Sequence, residues 1–170
     1  MGTMLGLLLY GLVVVAALVA AYLLGLMNGA LYIPTDMQTV DEMLKAANLT
    51  QEDTLVDIGS GDGRLVISAA QKGVKAKGYE INPLLVWLSN RKIRKLGLEK
   101  LASVSLRDFW SADLSPYSVV TVFGIAHIMR RLEKKLDREL KPGSRVVCNL
   151  FPLPTWEGKK EGSMYLYSQK

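Results

Sequence analysis

A short apolar strand running straight into three glycines at alternate positions limits this chain more than any other feature. It reads Val56-Asp57-Ile58-Gly59-Ser60-Gly61-Asp62-Gly63. Glycine reaches positive φ without steric cost, so such a run turns tightly and lets a ligand approach the backbone. A helix opening directly after it aims its N-terminus at that ligand. Glu80 stands twenty-one residues beyond Gly59, at the end of the next predicted strand. A carboxylate there can accept hydrogen bonds from both hydroxyls of a ribose. Loop and carboxylate together describe a nucleoside site at the carboxyl ends of parallel strands.

The surrounding pattern supplies those strands. Apolar runs at 55–58, 76–80, 102–106, 119–123 and 145–150 alternate with helical periodicity over 37–47, 64–72, 84–96 and 127–140. Strand and helix in alternation predict a parallel sheet with helices on its faces. Thr35 or Asp36 is placed to cap the first of these helices and Pro83 to open the third. A last extended piece, 164–167, is expected as an edge strand on a sheet that lacks a full closing set.

Which nucleoside the loop holds depends on charge. The spacing is G-x-G-x-G, with Arg64 following, rather than the G-x-G-x-x-G of a dinucleotide site. No G-K-S/T follows, which excludes a P-loop. Asp57 would repel a pyrophosphate but would suit the ammonium group of a methionine moiety. Both features favour S-adenosylmethionine over NAD.

Residues 1–35 contain no charged residue, and 4–27 are almost wholly apolar. At 1.5 Å rise per residue, such a helix is expected to cross a hydrocarbon layer of about 30 Å. This reading divides the chain into a transmembrane anchor at 1–30, a helix and linker at 31–52, and a cofactor-binding domain at 53–170. It makes membrane lipid a partner and the protein single-pass, with its catalytic domain on the cytoplasmic side, where the metabolite is.

The remaining composition mostly excludes. One cysteine, Cys148, and one histidine, His127, cannot build a disulfide framework or a Cys/His metal cluster, and no metal is expected. The formal charge of +5 suits an anionic partner without choosing one. The charged run 130–141 reads first as a solvated helix face with i,i+4 pairs.

The segments YIPTD (32–36), VDIGSGDGRLVISAA (56–70), GYEINPLLVWLSN (78–90), RDFW (107–110), VFGIAHIMRRLEKKLDREL (122–140) and FPLPTW (151–156) carry a resemblance. The chain resembles the class I, seven-β-strand methyltransferases, with their Rossmann-like α/β fold. More narrowly, it is similar to the small membrane-anchored protein-lysine methyltransferases that act on the ATP synthase c subunit or the adenine nucleotide translocase. The resemblance implies that Asp57, Gly59, Ser60, Gly61 and Gly63 hold the methionine and sugar parts, that Glu80 holds the ribose, and that Asp108 lies beside adenine or the cleft edge. It also implies that Tyr32, Pro34, Thr35 and Asp36 help form the acceptor pocket.

Other positions stay open between two roles. Asp108 can cap a turn, and His127 can cap a helix or face the ligand. Phe151, Pro152 and Trp156 can line the pocket or stiffen a loop. No catalytic residue stands out beyond the cleft candidates Asp108, His127 and Trp156, and a desolvated pocket can lower a lysine's pKa without a strong base. Lysine methylation on a membrane or membrane-proximal protein is the leading expectation. A lipid, quinone or other small-molecule acceptor and a non-catalytic binding protein are its rivals. Nucleic acid is disfavoured, because FGIAH (123–127) ends the fourth strand where base-amine methylation usually places an Asn/Asp-Pro-Pro-aromatic motif. Oligomeric state is not readable.

Overall fold

The computed structural model describes residues 2–27 and 34–170, without the side chains at 2, 3, 5, 18 and 21–27. The chain forms two compact units, Met1–Leu31 and Tyr32–Lys170. The first contains α1 (Gly2–Met27).

A membrane-crossing helix was the expectation for this segment, and the structure corrects it. Among the described residues no helix is long and apolar enough to cross a membrane. The expected lipid partner, single-pass topology and membrane location lose their basis with it. The cytoplasmic placement of the catalytic domain rested on the same anchor.

The second unit is a seven-stranded sheet in the order β3-β2-β1-β4-β5-β7-β6. The strands β1 (Thr54–Ile58), β2 (Lys75–Glu80), β3 (Ala102–Leu106), β4 (Val119–Val122) and β5 (Arg145–Asn149) run parallel. They are linked by α3 (Arg64–Gln71), α4 (Pro83–Lys95) and α5 (Ala126–Glu139), with α2 (Met37–Ala46) ahead of β1. Val-rich strands such as VVTV are buried on both faces, as parallel strands covered by helices must be.

One face packs Leu55, Ala76, Val104, Val119 and Val147 with residues of α2, α3 and α4. The other packs Val56, Val120, Val146 and Cys148 against Met129, Leu132 and Leu136 of α5. Strand order reverses between β1 and β4, and a crevice at such a point is where open α/β sheets bind ligands.

The closing strands differ from expectation. β7 (Met164–Ser168) is not an edge: it pairs antiparallel with β5, and β6 (Lys159–Glu161) pairs outside it, completing the sheet. The sequence hides β6 because Lys-Lys-Glu carries no apolar alternation. Its backbone pairing with β7 holds it in place.

Candidate functional site

The loop after β1 is braced from within. Gly59, Gly61 and Gly63 have φ of 79°, 55° and 76°, values that favour glycine. The N–H groups of Gly59 and Ser60 donate to the Tyr79 carbonyl at 2.9 and 3.0 Å, and the Gly63 N–H donates to the Ser60 carbonyl at 2.9 Å. Gly61 N–H donates to Glu80 Oε2 at 2.9 Å. A Cβ on Gly63 would lie 2.9 Å from Ser89 Cβ, so this glycine also brings α3 close to α4.

The Glu80 carboxylate is buried and orders the next turn. Its Oε1 accepts from the N–H groups of Ile81 and Asn82, both at 2.8 Å. Asn82 then caps α4 through Leu84 N–H at 3.0 Å, with Pro83 in the first turn. With three bonds accepted, the carboxylate keeps unused lone-pair capacity for a ligand hydroxyl.

Two aspartates set the electrostatics of the loop. The Asp62 carboxylate sits before the N-terminus of α3, where a helix favours negative charge. It accepts from Arg64 Nε at 2.8 Å and from Lys92 Nζ at 2.8 Å. Burial pushes its pKa up, but these two cations prevail and hold it at about 2. The anion position at this helix end is thus taken by the protein's own carboxylate.

Asp57 is the opposite case. Burial drives its pKa up to about 7, with the Thr121 hydroxyl opposing and the Glu80 charge adding to the rise. Thr121 lies directly across from it on β4, and its hydroxyl donates to Asp57 Oδ1 at 2.8 Å. Of the described residues, none places a cation on this carboxyl group. Ser60, packed over Gly78, leaves a second imbalance: its hydroxyl is buried without a hydrogen-bond partner among the described residues.

The sequence candidates separate into two groups. Asp57, Gly59, Ser60, Gly61, Gly63 and Glu80 come together at the carboxyl ends of β1 and β2. Asp108 joins them from the segment after β3, since Arg107 N–H donates to the Glu80 carbonyl at 2.9 Å. Asp108 is exposed and also caps the short 3-10 turn Phe109–Ser111 through Trp110 N–H at 3.0 Å. Thr35 reaches the loop indirectly, because the Arg64 guanidinium donates to its carbonyl. Asp36 is occupied as the cap of α2, accepting from Thr39 N–H at 2.9 Å. Pro34 is exposed beside it, and Tyr32 lies outside the described residues.

His127 is exposed in the first turn of α5, after the carboxyl end of β4. Trp156 is held further along α5, its Nε1–H donating to Asp137 Oδ1 at 2.8 Å. Roughly ten residues of helix separate His127 from Asp137, about 15 Å along the axis. Phe151 and Pro152 belong to the same loop, which Glu133 and the Tyr167 hydroxyl pin to the sheet's α5 side. Leu150 opens that loop with φ of 67°, an uncommon value for a leucine. Burial pushes the Cys148 thiol up to about 12, which removes it as a nucleophile.

Thr121 is a candidate site residue that sequence reasoning missed. Its signal is faint: one hydroxyl inside an apolar strand, legible only once β1 and β4 are paired. Among the described residues, no group of three or more His, Cys, Asp or Glu side chains is gathered to hold a metal.

Residues 57–160 match the family model described as the ANTKMT methyltransferase domain. The chain belongs to this methyltransferase family. The matched span includes the glycine loop, Glu80, Asp108, Thr121, His127 and the 150–156 loop. Among relatives, the human ATP synthase c-subunit lysine N-methyltransferase is 42% identical over 125 residues, covering 74% of this chain and 53% of that protein. The chain therefore spans about half the length of that relative. A protein-lysine N-methyltransferase from Saccharolobus islandicus is 37% identical over 147 residues, covering 80% of this chain and 91% of its own length. A crystal structure described as an RNA methyltransferase from Salinibacter ruber in complex with S-adenosyl-L-homocysteine superposes with a TM-score of 0.74 at 32% identity. It covers 81% of this chain and 92% of that one.

Proposed function

We propose that the carboxyl end of the sheet binds S-adenosylmethionine and directs its methyl group to the side-chain amine of a protein lysine. The observation that carries the cofactor reading is the unbalanced Asp57 carboxyl beneath a loop whose anion position is already filled by Asp62. Such a site repels a pyrophosphate and lacks a cation, which the ammonium group of a methionine moiety provides. Asp57, steadied by Thr121, holds that ammonium. Gly59, Ser60, Gly61 and Gly63 let the backbone come close, Glu80 takes the ribose hydroxyls, and Asp108 borders the base. Residues 53–170 form the cofactor-binding domain, and 34–52 of the preceding segment contribute the rim around Thr35.

Bound there, the cofactor supplies a methyl group on a sulfonium, activated for direct displacement. The chain's part is to align an incoming amine and exclude water. A lysine ammonium has no lone pair and must first lose a proton, against a free pKa of about 10.4. Desolvation at the mouth of the cleft lowers that value, and Asp108 and His127 stand on the exposed rim to pass the proton to solvent. The lysine acceptor is supported by two relatives that carry that activity in their names. The Salinibacter structure favours RNA as the second reading.

Labelled S-adenosylmethionine, offered with separate protein, RNA and lipid fractions beside a Glu80→Ala control, decides between them. Methyl-lysine in protein, lost with the variant, is the expected result. Label confined to RNA or lipid would overturn the acceptor and keep the cofactor.

A further inference from the structure

The run Arg130 to Lys141 interleaves six cations with three acids in sequence, and the fold separates their charges further. Two of its three acidic residues, Glu133 and Glu139, are drawn inward. Glu133 is buried and accepts from Thr155 N–H at 2.7 Å and Thr155 Oγ1 at 2.9 Å, which ties the 150–156 loop to α5. Glu139 accepts from Leu114 N–H at 3.0 Å and is paired at 2.7 Å with Lys135, itself buried and donating to the Ala112 carbonyl. Asp137 is the one exposed acid in the run, and Trp156 engages it.

The cations that remain all face solvent. Arg130, Arg131, Lys134, Arg138 and Lys141 are exposed. Among the described residues, the side chains of Arg130, Lys134, Arg138 and Lys141 have no partner. Arg131 lies 4.0 Å over the Trp110 ring, and that ring stacks on Phe109 at 4.5 Å. Asp108, Phe109 and Trp110 follow the carboxyl end of β3, so the cationic stripe is continuous with the rim of the proposed cofactor cleft.

We propose that this stripe on α5 docks an acidic segment flanking the acceptor lysine of the protein substrate. The inference rests on the lysine reading above and adds to it a rule of sequence selection. From Ala126, where α5 opens beside β4, Arg130 lies about 6 Å and Arg138 about 18 Å along the helix. An extended chain advances about 3.3 Å per residue, which places the complementary acids about two to six residues from the lysine. An RNA strand fits less well, because the nearest aromatic face, Trp110, is already covered by Arg131 rather than open for a base.

The test uses the full chain and three fluorescent probes: a lysine peptide with acidic residues on one flank, its glutamine counterpart, and a single-stranded oligoribonucleotide. At low salt the acidic peptide is expected to bind about tenfold more tightly than the glutamine peptide, as several exposed pairs acting together allow. High salt should remove that advantage. So should the combined R130Q, K134Q and R138Q substitution, with S-adenosylhomocysteine binding retained as the check on folding. Equal binding of both peptides, or an unchanged preference in the triple variant, would overturn the proposal. Tighter oligoribonucleotide binding, lost in the same variant, would overturn it in favour of nucleic acid. Methyl transfer is read separately on the same peptides. Selective docking without label leaves the surface standing and rejects the lysine acceptor; label without selective docking does the reverse.

Discussion

The two ends of β1 each carry a buried aspartate, and the protein treats them in opposite ways. Asp53, just before the strand, accepts from the Ser118 hydroxyl at 2.7 Å and from Thr50 N–H at 2.8 Å, and it pairs with Arg145. Arg145 also donates to the Ala47 and Asn48 carbonyls at 2.6 and 2.7 Å, fastening the end of α2 to β5. Burial raises the Asp53 pKa, but Ser118, Thr50 and Arg145 outweigh it and hold it at about 2. Asp57, four residues on, has one hydroxyl and a neighbouring carboxylate, and it rests at about 7. A carboxylate the fold needs is neutralised by the fold. One left unbalanced in a crevice is a candidate for a ligand.

The sharpest way to break this contrast is a matched pair of substitutions. Asp57→Asn should weaken S-adenosylhomocysteine binding by about 100-fold, the scale of one lost charge-assisted contact, while the unliganded chain melts no lower. Asp53→Asn should do the reverse, with a cost of about 2 kcal/mol in denaturant unfolding and nearly normal binding. Calorimetry showing equal loss of binding in both would dissolve the distinction between the two ends.

Acid–base behaviour separates them next. The folded-state pKa of Asp57 lies above its ordinary value, so the native chain holds a proton that the unfolded chain has released. Its contribution to stability is full below about pH 4 and is lost as pH rises to about 7, on the order of 4 kcal/mol. Asp53, depressed to about 2, contributes stability that is present above about pH 4 and lost as pH falls through about 2. Urea unfolding across about pH 4 to 8 should therefore show a decline that Asp57→Asn flattens and Asp53→Asn leaves in place. A cationic ligand favours ionised Asp57, so cofactor affinity should rise as pH passes through about 7.

The smallest effect sharpens the role of Thr121. Thr121→Val removes the hydroxyl that opposes the rise at Asp57. It should reduce cofactor affinity at neutral pH by about fivefold, with recovery in more alkaline buffer, while Thr121→Ser stays near wild type. A loss independent of pH would mean that Thr121 acts through packing alone.

Most of the sheet was legible because its signals are local. The apolar runs, Pro83 opening α4 and the glycines at 59, 61 and 63 act within a few residues of themselves. Glu80 was legible too, since a loop and the end of the next strand have a regular separation. β6 was not, because Lys159–Glu161 has no pattern of its own. Trp156 was legible as a conspicuous aromatic but not as a strut on Asp137. Its partner lies nineteen residues away on another element.

Sequence alone determined the alternation of strands and helices, the positive-φ turn and the type of ligand it admits, since propensity, periodicity and glycine's freedom are properties of short stretches. Tertiary structure decided which charges find partners. Asp53 and Asp57 are the same residue type, and Glu133, Lys135 and Arg138 share one helix. Desolvation and Coulomb interaction depend on distance in space, and those distances exist only after β4, β5 and α5 have packed.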